Sequence, residues 1–180
     1  MARDIESTKP INSPQTKRQS GASLTEYLLY AALAGLVVVG ATKMYSSSNT
    51  SSQSNQLLSD LQGIRSGAQT ISNSGIYTGI SLDNMSTAKA LPSTIRKSGT
   101  NWLSNLNTNM TLAVNASTPS KFDLVINSVP PEVCIKTLSS LDASWSAKVG
   151  STAVTLPASD VNTIASACGS AAANLTFTSS

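Results

Sequence analysis

Histidine is absent from all 180 residues. That absence excludes a Ser-His-Asp triad, a Cys-His pair, an H-E-x-x-H zinc helix and a haem histidine ligand. It also removes the side chain that ordinarily titrates near neutral pH. Charge is scarce as well: Asp, Glu, Lys and Arg make up 12% of the chain, 12 positive against 9 negative, for a net of +3. So thin a supply argues against direct nucleic-acid binding, which needs clustered Lys and Arg to neutralise phosphates. Aromatics reach only 4%, so Tyr77, Trp102, Phe122 and Trp145 read as core or subunit-contact residues rather than a ligand groove. Asp123, Asp142 and Asp160 are isolated, without the spacing of a calcium loop. The two cysteines, Cys134 and Cys168, form no C-x-x-C. No catalytic residue, metal site or cofactor is expected, and the chain does not read as an enzyme.

What is abundant is small and polar: 32 Ser, 19 Thr and 13 Asn. The length fits one domain of about 100–200 residues, and a 40% hydrophobic fraction is enough for a core. The charges are not spread evenly. Residues 1–21 hold Arg3, Lys9, Lys17 and Arg18 against Asp4 and Glu6, a net of +2, and the rest of the chain carries +1. With Pro10, Pro14 and no apolar run, this head cannot bury a face of its own. Directly after it, Ala22 to Thr42 (ASLTEYLLYAALAGLVVVGAT) contains a single charge, Glu26. A helix of that length is about as long as a bilayer core is thick. Lys17-Arg18 on its amino-terminal side would keep the head in the cytoplasm.

Three readings fit such a run. It could be an uncleaved anchor, or a secretory signal cut after Val39-Gly40-Ala41. Both leave Glu26 unexplained, because a carboxylate inside an apolar segment is costly and usually functional. The third takes the whole pattern together: a short basic leader ending in Gly21, a small residue Ala22, and Glu26 five residues after the glycine within an apolar helix. This resembles the type IV pilin signature. The segment VPPEVCIKTL from Val129, the second cysteine Cys168 and the ending NLTFTSS from Asn174 look like the PilS group of type IVb pilins, which form the thin pili of conjugative plasmids and some enteric pathogens.

The resemblance implies cleavage after Gly21 by a prepilin peptidase and methylation of the new amino terminus at Ala22. That amine would have an ordinary pKa of about 7.7–8.0. In a filament packed through apolar helices, Glu26 of one subunit would pair with the Ala22 amine of its neighbour. Breaking a buried pair of this kind costs roughly 3–5 kcal/mol, although the intact pair is no large net stabiliser. The expected partners are further copies of the chain, the prepilin peptidase, the inner-membrane assembly machinery and a minor pilin or tip adhesin. The expected location is the inner membrane as precursor, then an extracellular pilus of a Gram-negative bacterium. The expected use is conjugative mating or adhesion. A minor pilin or a type II secretion pseudopilin would share the leader and Glu26, and a membrane-anchored binding module that never polymerises is a further alternative.

The expected fold is α+β, a long amino-terminal helix packed on an antiparallel sheet with a carboxyl-terminal disulfide. Leu57, Leu58, Leu61, Ile64, Ala68 and Ile71 fall on one helical stripe, so a single helix is predicted over 23–72. The expected divisions are a cleaved leader (1–21), an apolar transmembrane or filament-core half-helix (22–45), an amphipathic half-helix (46–74) and a globular head (75–180). Gly35, Gly40 and the Ser-rich centre from Ser46 are its weak stretches, each glycine lowering helix stability by up to about 1 kcal/mol. In the head, Asp83 to Ala90 reads as a short helix and Thr100 to Leu106 is ambiguous. Met110 to Asn115 and Lys121 to Val129 read as strands. Pro130-Pro131 opens a helix to about Leu138. Ala143 to Val149 and Ser151 to Leu156 form a hairpin around Gly150. A short helix starts at Ser159-Asp160, with Ser159 as N-cap, and Asn174 to Thr178 is a last strand. An exported head makes a Cys134–Cys168 disulfide the default. In pilins the segment between such cysteines forms a variable exposed lobe, and the resemblance implies one here.

Overall fold

Leu57, Leu61, Ile64 and Ala68 recur at helical spacing, and in the computed structural model all four are fully buried. The structure describes residues 24–72, 75–158 and 160–179, the side chains of 38–47 excepted. The chain divides into two compact units, one ending at Thr42 and the other running Lys43–Ser180. Helix α1 runs Leu24–Ile71 without a break, so neither the glycines nor the serines interrupt it.

In the second unit, α1 is followed by α2 (Leu82–Thr87) and by strands β1 (Arg96–Ser98), β2 (Asn101–Leu103), β3 (Asn109–Val114) and β4 (Phe122–Val129). Then come α3 (Pro131–Ser140), β5 (Trp145–Val149), β6 (Thr152–Val154), α4 (Val161–Cys168) and β7 (Ala173–Ser179). The strands make one seven-stranded sheet in the order β1-β2-β3-β4-β7-β5-β6, with every neighbouring pair antiparallel. Burial alternates along β3, β4, β5 and β7, as expected of a sheet with one face in the core and one toward water. The fold is thus the expected α+β arrangement.

The four stripe residues of α1 share a single core with Met110, Phe122, Leu124, Ile126, Leu175 and Phe177. Tyr77, Phe122, Trp145 and Phe177 form a row of edge-to-face rings with centroids 5.0, 5.8 and 6.3 Å apart. This geometry suits the aromatic quadrupole. Three of the four aromatics singled out in the sequence are therefore core residues, and Trp102 is half-buried on β2.

The Ser-rich centre of α1 has a packing role. Ser54 is fully buried, and its hydroxyl lies 3.1 Å from that of Thr137 on α3. Thr50 donates to the Glu132 carboxylate at 3.0 Å, and Lys136 donates to the Ser51 hydroxyl. Glu132, Lys136 and Thr137 lie on one face of α3 at helical spacing. The residues that weaken the helix locally thus form a polar seam with a second helix.

Two glycines set how closely the segment after α2 approaches α1. A Cβ built on Gly67 would lie 2.0 Å from the Ala90 carbonyl oxygen and 2.8 Å from the Met85 methyl carbon, and one on Gly63 would lie 2.7 Å from the Pro92 ring. Gly67→Ala would gain up to about 1 kcal/mol in helix propensity. It would lose more, because overpacking against backbone costs roughly 1–3 kcal/mol. A net loss of stability is expected, read as a lower urea midpoint. A midpoint at or above the parent's would show that residues 88–92 yield freely.

The β1–β2 hairpin resolves the ambiguous stretch. Its strands have three residues each and turn at Gly99, whose φ is +61°. At the start of α4 the cap is Asp160, whose carboxylate accepts from the Asn162 amide at 2.9 Å. Ser159, the predicted cap, lies outside the described residues.

Candidate functional site

Along the start of α1, Leu24, Tyr27, Leu28, Leu29, Tyr30, Leu33, Leu36 and Val37 are all exposed, between 53% and 78%. At 100° per residue these eight side chains fall on every side of the helix. A helix that is apolar all round is normally buried in a larger body of protein or lipid, and an exposed apolar surface of this extent marks an interaction site. Glu26 is the acidic residue of the first turn, where partial positive charge on the unpaired amides favours a carboxylate. It too is exposed. Gly21 and Ala22 lie outside the described residues.

Among the described residues no helix is long and apolar enough to cross a membrane. The predicted span began at Ala22 and ended at Thr42. Its described side chains stop at Val37, and Leu24–Val37 at 1.5 Å per residue is only about 21 Å of helix.

Cys134 of α3 and Cys168 of α4 are joined, with Cα atoms 6.0 Å apart and both residues buried. The bond fastens the two helices to each other. Between them in sequence lie β5 and β6, and β5 pairs with β7 in the sheet.

The model of the family described as PilS N terminal matches residues 30–180. The chain belongs to that family. It is a PilS-like type IVb pilin, and membership implies self-polymerisation into a pilus outside the cell. The match takes in α1 from Tyr30 onward and the whole second unit. It begins after Gly21, Ala22 and Glu26, so it does not bear on the roles expected of those three. A comparison with curated proteins finds no match.

Several features of this pilin gave no sequence signal. Asp60 is 1% exposed, and its Oδ1 accepts from Gln56 Nε2 at 3.1 Å and from Thr94 Oγ1 at 2.5 Å. Its Oδ2 meets no donor among the described residues. Its place three residues after Leu57 and four before Ile64, both buried, was the one hint that it faces inward. On β1, Lys97 pairs with Asp83 of α2 at 2.5 Å, and its ammonium lies 5.5 Å from the centre of the Trp102 ring. The Trp102 Nε1–H donates to the same carboxylate at 3.3 Å. Lys97 above all, and the indole N–H in addition, hold the Asp83 carboxyl below the usual range. The Asn162 amide, then the Thr163 hydroxyl, do the same for Asp160. These contacts latch an edge hairpin and cap a helix.

The grooves on the second unit are shallow and mixed in character. One of about 350 Å³ lies between α1 and the α3–β5 connection. There the Arg65 guanidinium sits 5.9 Å from the centre of the Trp145 ring, a cation–π contact.

Proposed function

We propose that this pilin is the major structural subunit of a type IVb pilus, made as a precursor and polymerised through its amino-terminal helix. The observation that carries the proposal is the helix from Leu24 to Val37, apolar on every side and exposed, on a chain of the PilS family. Assembly would gather these helices into a filament core and display the second unit outside. The large stock of Ser, Thr and Asn suits a polar, weakly charged coat. The protein acts as building material and as the substrate of a processing enzyme, and performs no catalysis of its own.

Processing would remove residues 1–21 by prepilin peptidase cleavage after Gly21 and would methylate Ala22. The freed Ala22 amine of one subunit would pair with Glu26 of the next, so the pair would set the stagger of parallel helices rather than the strength of the core. Before assembly the run Ala22 to Thr42 would hold the precursor in the inner membrane, within reach of the assembly machinery. A minor pilin or tip adhesin would join the polymer, and the pilus would serve conjugative mating or adhesion.

The test is the amino terminus together with the surface fraction. The expected product begins at Ala22 with one added methyl, and it dominates the protein sheared from cells. A product starting at Thr42 would mean secretion after signal cleavage, and one starting at Met1 would mean an anchor. A correctly cut chain that is scarce in sheared fractions would be a minor pilin or pseudopilin.

A further inference from the structure

The polar seam between α1 and α3 surrounds the cysteine that α3 carries. Thr50 donates to Glu132, Lys136 donates to Ser51, and the Ser54 and Thr137 hydroxyls meet in the interior. Cys134 stands between Glu132 and Lys136 on α3, and its sulfur is bonded to that of Cys168, the last residue of α4. The disulfide therefore grips α3 at the level where α3 meets α1.

The part of α1 at this seam is the part that least favours a helix. Residues 46–55 read SSSNTSSQSN. Ser, Thr and Asn side chains compete with the backbone for its hydrogen bonds. The run also holds no large apolar side chain, and helices in proteins draw most of their stability from packing an apolar face. Just beyond it, Leu57, Leu61, Ile64 and Ala68 anchor α1 in the core. The Ser-rich run is thus a segment with two accessible states, helix and coil, and its contacts with α3 bias the balance. A tether that limits how far α3 can drift from its place favours the helical state.

We propose that the Cys134–Cys168 disulfide, acting through α3, is a redox-set latch on the Ser-rich centre of α1. Closed, it keeps residues 50–55 helical; open, it lets them melt. Closure takes one proton and one electron from each thiol and passes them to a disulfide oxidant of the export compartment, which leaves as two thiols. In the chain the latched run lies between the apolar segment Leu24–Val37 and the buried stripe. The purpose of the latch rests on the filament reading: only an oxidised subunit would carry its assembly segment on an unbroken helix.

Spin-label mobility in the full chain in detergent micelles tests it. The described cysteines are both in the disulfide, so a single introduced thiol takes the label. Asn55 and Gln62 of α1 are both exposed, so a label at either displaces no core side chain. In the double variant Cys134→Ala with Cys168→Ala, the mobile fraction at Asn55→Cys is expected to rise about tenfold over the parent's, the scale of one net hydrogen bond. Gln62→Cys should show no change. Thr137→Val, with the disulfide intact, removes the partner of Ser54 and is expected to give the same rise at Asn55→Cys. An unchanged signal there in the double variant would overturn the latch. So would equal gains at Asn55→Cys and Gln62→Cys, or a double variant that does not fold, because the bond would then serve the whole fold. No rise in Thr137→Val would show that α3 does not hold the run, and would overturn it too. None of these readouts needs a filament. If the parent chain forms none, the filament reading fails with the purpose it lends the latch, and the latch is decided by its own result.

Discussion

Glu26→Gln is expected to leave the pilin accumulating at the parental level while filaments disappear. Gln preserves the shape of the side chain and removes only its charge. Glu26 is exposed in the first turn of α1, so the subunit loses no packing of its own. In the polymer the neighbouring amine would be left buried without a counter-ion. That costs roughly 3–5 kcal/mol, or about a hundredfold to several thousandfold in each subunit contact. The loss repeats at every step of a helical polymer, so even the lower figure suffices to stop growth. The readouts are the sheared surface fraction and the total pilin in the cell. Parental filament yield from Glu26→Gln would sink the pairing, and a fall in total pilin would point to a role in the subunit itself.

Removal of the disulfide should have the largest effect on stability. In the chain-entropy model, tying residues 34 apart stabilises by roughly 3–4 kcal/mol. Native domains have only about 5–15 kcal/mol in total. The double variant Cys134→Ala with Cys168→Ala is therefore expected to melt roughly 10 °C lower. Both residues are buried, so alanine avoids placing new polar groups in the core. Reductant should bring the parent to the same lower midpoint and leave the double variant unmoved. A double variant as stable as the oxidised parent would mean that α3 and α4 are held by packing alone.

The sequence revealed the long-period features and missed the short ones. Of the predicted stripe, Leu57, Leu61, Ile64 and Ala68 are buried, Leu58 is half-buried and Ile71 at the helix end is exposed; it was legible because a helix repeats its buried face over several turns. β3 and β4 were legible because they alternate over six and eight residues, and α3 because Pro131 fits its first position. The β1–β2 hairpin was not, since Arg96, Lys97 and Ser98 are all exposed and a three-residue strand has no room for alternation. Lys97 and Trp102 face each other across its two strands, and their shared partner Asp83 comes from α2, a contact that only the fold brings about. The Ser-rich stretch reads as a weak helix, because propensity describes an isolated segment and cannot register that α3 lies alongside. Of the candidate site, the apolar run and the cysteine pair were visible.

The position of β7 has a consequence for timing. It follows β5 and β6 in the chain yet lies between β4 and β5 in the sheet. Without residues 173–179, β4 and β5 would have no strand between them, and each would present an open edge where β7 pairs in the finished sheet. Two sticky edges would wait for one strand, and such edges invite pairing with other chains. Secretion of this pilin would thus depend on keeping unfinished copies apart until the last strand is delivered.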